Sequence, residues 1–222
     1  MNQGARSVTW RSLAAIAAVL ALLFIIVWVG RRSHNSIPKA SNASRPVCGV
    51  HCGTERWSVK TLSDGDATCV DFTAKHTTIS WLVSQPVPER LPEQGRSGTL
   101  ECQVWQLTGQ LVGFKAEDDG DFHIVLADLE HPDLTMIVEI PDPACSGACA
   151  SARGTDIGRA RDTFTQRFGE PVKRFHRVSQ TEIVTVIGVG FFDFKHKQTG
   201  LALNGVELHP VIGFAVTDSG RH

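Results

Sequence analysis

The chain has 222 residues, of which 42% are hydrophobic, and 22 Lys+Arg against 23 Asp+Glu give a formal net charge of −1. That length suits one folded domain with appendages. The balanced charge lacks the basic excess that nucleic acid or anionic lipid attracts, and the chain has no Tyr, a common stacking and sugar-binding residue.

Residues 1–12 read as a short tail. An unbroken apolar run, Leu13 to Val29, follows and is extended by Gly30. Residues 13–30 reach the lower limit for a helix crossing ~30 Å of hydrocarbon. Arg6 and Arg11 precede the run and Arg31 and Arg32 follow it, so charge alone orients it weakly. The run is long for a cleavable signal peptide, and Ser41-Asn-Ala43 lies too far away to serve it. The expectation is an uncleaved signal anchor. All six cysteines (Cys48, Cys52, Cys69, Cys102, Cys145 and Cys149) lie beyond it. An even count beyond a membrane segment predicts disulfides and a periplasmic or extracellular domain, without choosing the pairing. Cys48-Gly-Val-His-Cys52 and Cys145-Ser-Gly-Ala-Cys149 share one spacing, so a four-thiolate zinc site is the alternative; it needs reduced thiols.

Residues 31–46 are polar and read as a linker. Residues 47–98 form an N-terminal extension with Trp57, Val59, Leu62, Val70, Phe72, Ile79, Trp81 and Leu82. It is too short to bury a core alone and is expected to pack on the main domain, stapled by disulfide. Residues 99–216 are that domain, and 217–222 a tail. A first strand runs from Leu100 to Phe114, with Gly109 and Gly113 marking a bulge or bend. Asp119-Gly120 inside Glu117–Asp121 predicts a hairpin, and Asp121–Ala127 the second strand, with Phe122, Ile124 and Leu126 on one face. Leu134–Ile140 is the third. The period then changes: Thr155-Asp156 starts a helix that carries Ile157, Ala160, Phe164 and Phe168 and stops at Gly169 and Pro171. Ile183–Phe194, bent by Gly188 and Gly190, and Val206–Val216 are the fourth and fifth strands.

Three strands, a helix and two strands, the first long and broken by glycine, resemble the OB-fold. The resemblance implies a mainly β protein, a five-stranded OB-fold-like barrel with one helix between strands 3 and 4, preceded by the transmembrane helix. OB-folds commonly bind oligonucleotides or oligosaccharides on the second and third strands. Here net acidity and the extracytoplasmic address argue against nucleic acid.

The acidic hairpin concentrates Glu117, Asp118, Asp119, Asp121 and His123. Asp119-Gly-Asp121 resembles the motif of staphylococcal-nuclease-like domains, OB-folds whose first hairpin supplies a calcium ligand. That resemblance implies catalytic candidates Asp119, Asp121 and Glu139 and a divalent metal such as calcium. The stretch Thr135–Asp142 supplies Glu139 and Asp142 but not the arginine with which that family stabilises the phosphoryl transition state. On its own merits Asp-Gly is a tight turn whose carboxylates face water. The cationic counterweight is Arg153, Arg159, Arg161, Arg167, Lys173, Arg174 and Arg177. A second constellation lies at the C-terminal hairpin, where Glu207 and His209 share a strand face and Asp193 or His196 could approach. With His123 they are the ligand-binding candidates. Val206, Leu208 and Ile212 alternate with them, so the face reads as the solvated or hydrogen-bonded outside of a half-buried strand. The EF-hand pattern fails because Ile124 takes the glycine position. Nucleophile-elbow, zincin and phosphate-loop motifs are absent.

Finally, Arg56–Asp64, Asp121–Leu126 with Met136–Pro141, and Gly188–Phe194 through Glu207–Val211 resemble a family of uncharacterised bacterial exported proteins, which brings no activity with it. The reading is a membrane-anchored extracytoplasmic binding or structural module with no cofactor, its partner a protein or a cell-envelope component. The alternative is a metal-dependent hydrolase.

Overall fold

The long second strand is what organises the molecule. In the computed structural model, which describes residues 48–49, 52–196 and 198–217, the elements run α1 (Trp57–Lys60), a 3-10 turn (Gly65–Cys69), β1 (Asp71–His76), α2 (Ile79–Val83), a second 3-10 turn (Leu100–Cys102), β2 (Gln103–Ala116), β3 (Phe122–Ala127), β4 (Thr135–Ile140), α3 (Ser146–Ala150), α4 (Gly154–Phe168), β5 (His176–Arg177), β6 (Ile183–Phe192) and β7 (Val206–Thr217). The expected anchor at 13–30 and linker at 31–46 lie outside the described residues. Among the described residues no helix is long and apolar enough to cross a membrane.

The first half of β2, Val104 to Gln110, pairs antiparallel with β6, and the second half, Gln110 to Ala116, with β3. One strand can serve two neighbours because it bends: the register shifts between Leu111 and Gly113. A Cβ at Gly113 would sit 2.5 Å from the His176 carbonyl, so only glycine fits the corner. The barrel order is β2-β3-β4-β7-β6, closed by the β2–β6 ladder, with β4 and β7 parallel and the other pairs antiparallel. The protein is therefore mainly β, a closed five-stranded barrel with one long helix between its third and fourth strands.

Alternation decides which side chains fill it. Phe122, Ile124 and Leu126 of β3, Met136, Val138 and Ile140 of β4, and Val206 and Leu208 of β7 share one core. Helix α4 lays Ile157, Ala160 and Phe164 onto it. The Phe164 ring lies 5.0 Å from Phe114, 5.6 Å from Phe122 and 5.3 Å from Phe214. Burying such a ring contributes roughly 1.5–3 kcal/mol, which fixes the helix to the barrel.

The extension is built into the same body. β1 pairs parallel with the start of β2, and α2 sends Ile79 and Leu82 into the main core. Disulfides Cys48–Cys149 and Cys52–Cys145 tie Cys48 and Cys52 to the α3 segment just beyond β4. Cys69–Cys102 ties the first 3-10 turn to the root of β2. No cysteine is free, which removes the four-thiolate zinc alternative.

Candidate functional site

The residues of opposite parity on the barrel strands are His123 and Val125 on β3, Ile137 and Glu139 on β4, and Glu207 and His209 on β7. None belongs to the barrel core, so they occupy the outer face of the wall. The ladders pair His123 with Glu139 and Ile137 with Glu207. Asp121 precedes β3 in the same parity as His123. The acidic hairpin and the C-terminal hairpin, which the sequence presents as two constellations, are one site.

That face is not solvated: of the solvated or hydrogen-bonded outside expected for Glu207 and His209, the first does not hold, and the hairpin carboxylate Asp121 does not face water. Asp121, His123, Glu207 and His209 are fully buried and Glu139 is 4% exposed. The physical reason is a roof. Segment 52–60 of the extension lies over the wall, with the Arg56 guanidinium 4.6 Å and the Lys60 ammonium 5.5 Å from the Phe191 ring centre. Arg56 also makes a buried bidentate pair with Glu101, at 2.9 and 2.7 Å, and donates to the Phe192 carbonyl at 2.5 Å. Lys60 pairs with Asp193 at 3.1 Å. Pair, carbonyl and ring together anchor the roof to the barrel.

Within the pocket Glu139 is the hub. Its Oε1 is 3.0 Å from Nδ1 of His123, and its Oε2 is 3.1 Å from Nδ1 of His209. Nε2 of His123 lies 2.9 Å from the Thr199 carbonyl oxygen. A carbonyl only accepts, so Nε2 carries the proton and Nδ1 turns its lone pair toward Glu139. A lone pair facing a carboxylate needs a cation between them, either a proton or a metal ion. Glu117 Oε1 is 3.4 Å from the same nitrogen and 2.8 Å from the Lys115 ammonium. Nε2 of His209 lies 3.1 Å from Asp121 Oδ2. Neither His209 contact has hydrogen-bond geometry, and Asp121 Oδ2, both His209 nitrogens and both Glu207 oxygens have no hydrogen-bond partner. Buried polar atoms without partners are costly, so several on adjacent residues require an explanation.

Electrostatics sort the groups. Burial would raise the Glu139 carboxyl, but the hydrogen bond from His123 and the His209 imidazole beside it hold it well below its usual range. Burial, reinforced by the Glu139 and Asp193 charges, pushes Glu207 well above it. Burial also raises Asp121 against the opposing pull of His209. Burial works against charge on His209, but Asp121 and Glu139 raise it to about 9. His123 is likewise raised, against burial, chiefly by Glu139. Without a metal, protons occupy the positions between these donors. Two donor sets lie within metal-binding reach, Glu117–His123–Glu139 and Asp121–Glu139–His209, the atoms of each within 4.8 Å of one another.

A cavity of about 350 Å³ opens beside the cluster, walled by the roof at 52–55 and Lys60, the hairpin at Glu117–Asp119, Glu139, and Asp193, His196 and Gln198. A larger one of about 900 Å³, lined mainly by the roof and α3, touches no member of the cluster; the smaller reaches it through the Glu117 and Glu139 carboxylates.

The remaining candidates fall elsewhere. Asp119 accepts the Asp121 amide at 3.2 Å across Gly120, whose φ is 90°. It serves the turn rather than the cluster. His196 sits outside, paired with Glu55 at 3.0 Å. Arg161 lies 3.4 Å over the Phe122 ring and donates to the Gly120 and Ile140 carbonyls. Its Nη1 is committed to backbone, and its Nη2 faces Glu170 at 3.8 Å. Lys60, Arg56 and Glu101 carried no signal in the sequence, and Thr199 contributes only its backbone. No family model, curated protein or solved structure matches the chain.

Proposed function

We propose that this protein is a membrane-anchored, extracytoplasmic binding module whose ligand is a divalent transition-metal ion, held by Glu117, His123 and Glu139 at the floor of the roofed cavity. The observation that carries this reading is the Thr199 carbonyl behind His123. It fixes the tautomer and aims Nδ1 at Glu139, which is how ligating histidines are oriented from behind. An imidazole with carboxylates suits Zn²⁺ or Mn²⁺ better than an all-oxygen ion such as Ca²⁺. The barrel order and helix position support the OB-like reading. The three disulfides support an oxidising address for the domain; the anchor at 13–30 rests on the sequence. A metal-dependent hydrolase remains the second reading, favoured by the cavity that leaves such an ion reachable.

Equilibrium dialysis of the full-length oxidised chain against Zn²⁺ and Mn²⁺, with Mg²⁺ and Ca²⁺ as controls, tests the site. The expected result is saturable transition-metal binding that His123→Asn weakens at least tenfold, with an unchanged circular-dichroism spectrum. No retention of either transition metal would end the proposal.

A further inference from the structure

The site has a chemical pseudo-symmetry that one ion does not use. Each oxygen of Glu139 faces Nδ1 of a different histidine, His123 at 3.0 Å and His209 at 3.1 Å. Behind each ring an oxygen stands at the far nitrogen: the Thr199 carbonyl at 2.9 Å and the Asp121 carboxylate at 3.1 Å. The sequence acceptor, imidazole, shared carboxylate therefore occurs twice. A carboxylate behind a ligating histidine is the other common device for orienting it. The His209 half is the more enclosed and holds most of the buried atoms without hydrogen bonds, with Glu117 Oε1 the one in the His123 half. Asp121 Oδ2, both nitrogens of His209 and both oxygens of Glu207 are buried and make no hydrogen bond. Glu207 stands two residues before His209 on β7, in the same parity.

Resting on the metal reading above, we infer that the pocket takes two divalent transition-metal ions bridged by Glu139. The outer ion lies with His123 and Glu117, and the inner ion takes Nδ1 of His209. Glu207 is the buried carboxylate that turns to the inner ion. Asp121 is a positioning residue, its Oδ2 standing 3.1 Å from the far nitrogen of His209. A carboxylate that bridges through both oxygens keeps its ions about 3.5–4 Å apart. At that separation the two spins couple, so the arrangement has a spectroscopic signature independent of any activity.

The test is electron paramagnetic resonance of the full-length oxidised chain loaded with Mn²⁺, alongside native mass spectrometry with Zn²⁺. The inference expects two ions per chain and an exchange-coupled Mn²⁺ spectrum. His209→Asn should keep one ion and give an isolated-ion spectrum. Asp121→Asn should keep both sites but weaken one by roughly 10–100-fold. Thermal melts of each variant check folding, and the wild-type spectrum stands if His209→Asn fails to fold. One ion per chain, unaffected by His209→Asn, would overturn the inner site and leave the outer one standing. Two uncoupled ions would equally overturn the bridge. No ion at all would remove both proposals.

Discussion

Glu139 answers to more partners than any other residue in the pocket, and its neighbours show how burial changes the role of a charge. Glu101 is the contrasting case. Its carboxylate is saturated, accepting both Arg56 nitrogens, the Phe192 amide at 2.9 Å and the Ser97 amide. Removing one charge of such a buried pair strands the other, at a cost of about 3–5 kcal/mol. Glu101→Gln should therefore lose about that much stability in denaturant unfolding, and a loss below about 1 kcal/mol would show that the pair does not anchor the roof. The cluster around Glu139 is unsaturated instead, and its pH dependence follows. His209 has a folded pKa of about 9 against an ordinary 6.5. Its protonated form therefore stabilises the metal-free fold fully below pH 6.5, and that stabilisation is lost as pH rises toward 9. Glu207, raised by burial and by Glu139 and Asp193, acts in the same direction, because ionising it becomes harder to avoid as pH rises. Metal binding displaces protons and should strengthen over the same window. Melts in chelator should fall between pH 6.5 and 9, and metal affinity should rise. Parallel rather than opposed trends would contradict the assignment.

Among elements, the informative one is the roof. Helix α1 is a single turn of four residues and has no periodicity to read. β1 is mostly exposed and pairs parallel at the root of β2, so no alternation announced it. The barrel strands were legible because Phe122, Ile124 and Leu126, or Val206 and Leu208, alternate against a core. The same alternation left the opposite face open: Glu207 and His209 read as a solvated or hydrogen-bonded outside until segment 52–60 is laid over them. What holds that segment is legible only as a cysteine count. Cys48–Cys149 and Cys52–Cys145 close loops of 101 and 93 residues, and a crosslink of that span is worth on the order of 4–5 kcal/mol by chain entropy. Because they pin the roof, reduction should release bound metal. Dithiothreitol, chosen with Mn²⁺ to limit thiol competition for the ion, should raise the free ion concentration before the barrel unfolds by circular dichroism. Retention of metal by the fully reduced chain would show that the wall alone binds it.

At the scale of the whole molecule, strand order followed from the sequence and the site did not. Three strands, a helix and two strands are written in alternating and helical periods, and the closed barrel reproduces that order. The hairpin Glu117–Asp121 and the pair Glu207 and His209 are far apart in the chain. They meet only because closure sets β4 parallel to β7 and antiparallel to β3. The parallel β4–β7 pairing is a topological consequence that no local pattern encodes. Asp119, which the nuclease-like motif singled out, closes the turn, while Glu117 and His123 reach Glu139. The central claim is that Glu139 gathers a metal centre beneath a disulfide-pinned roof. Calorimetric titration of Zn²⁺ into the full-length oxidised chain and into Glu139→Gln tests it most directly. The account predicts saturable binding to the wild type and its loss in a variant that remains folded. Equal binding to both, or none to the wild type, would contradict it.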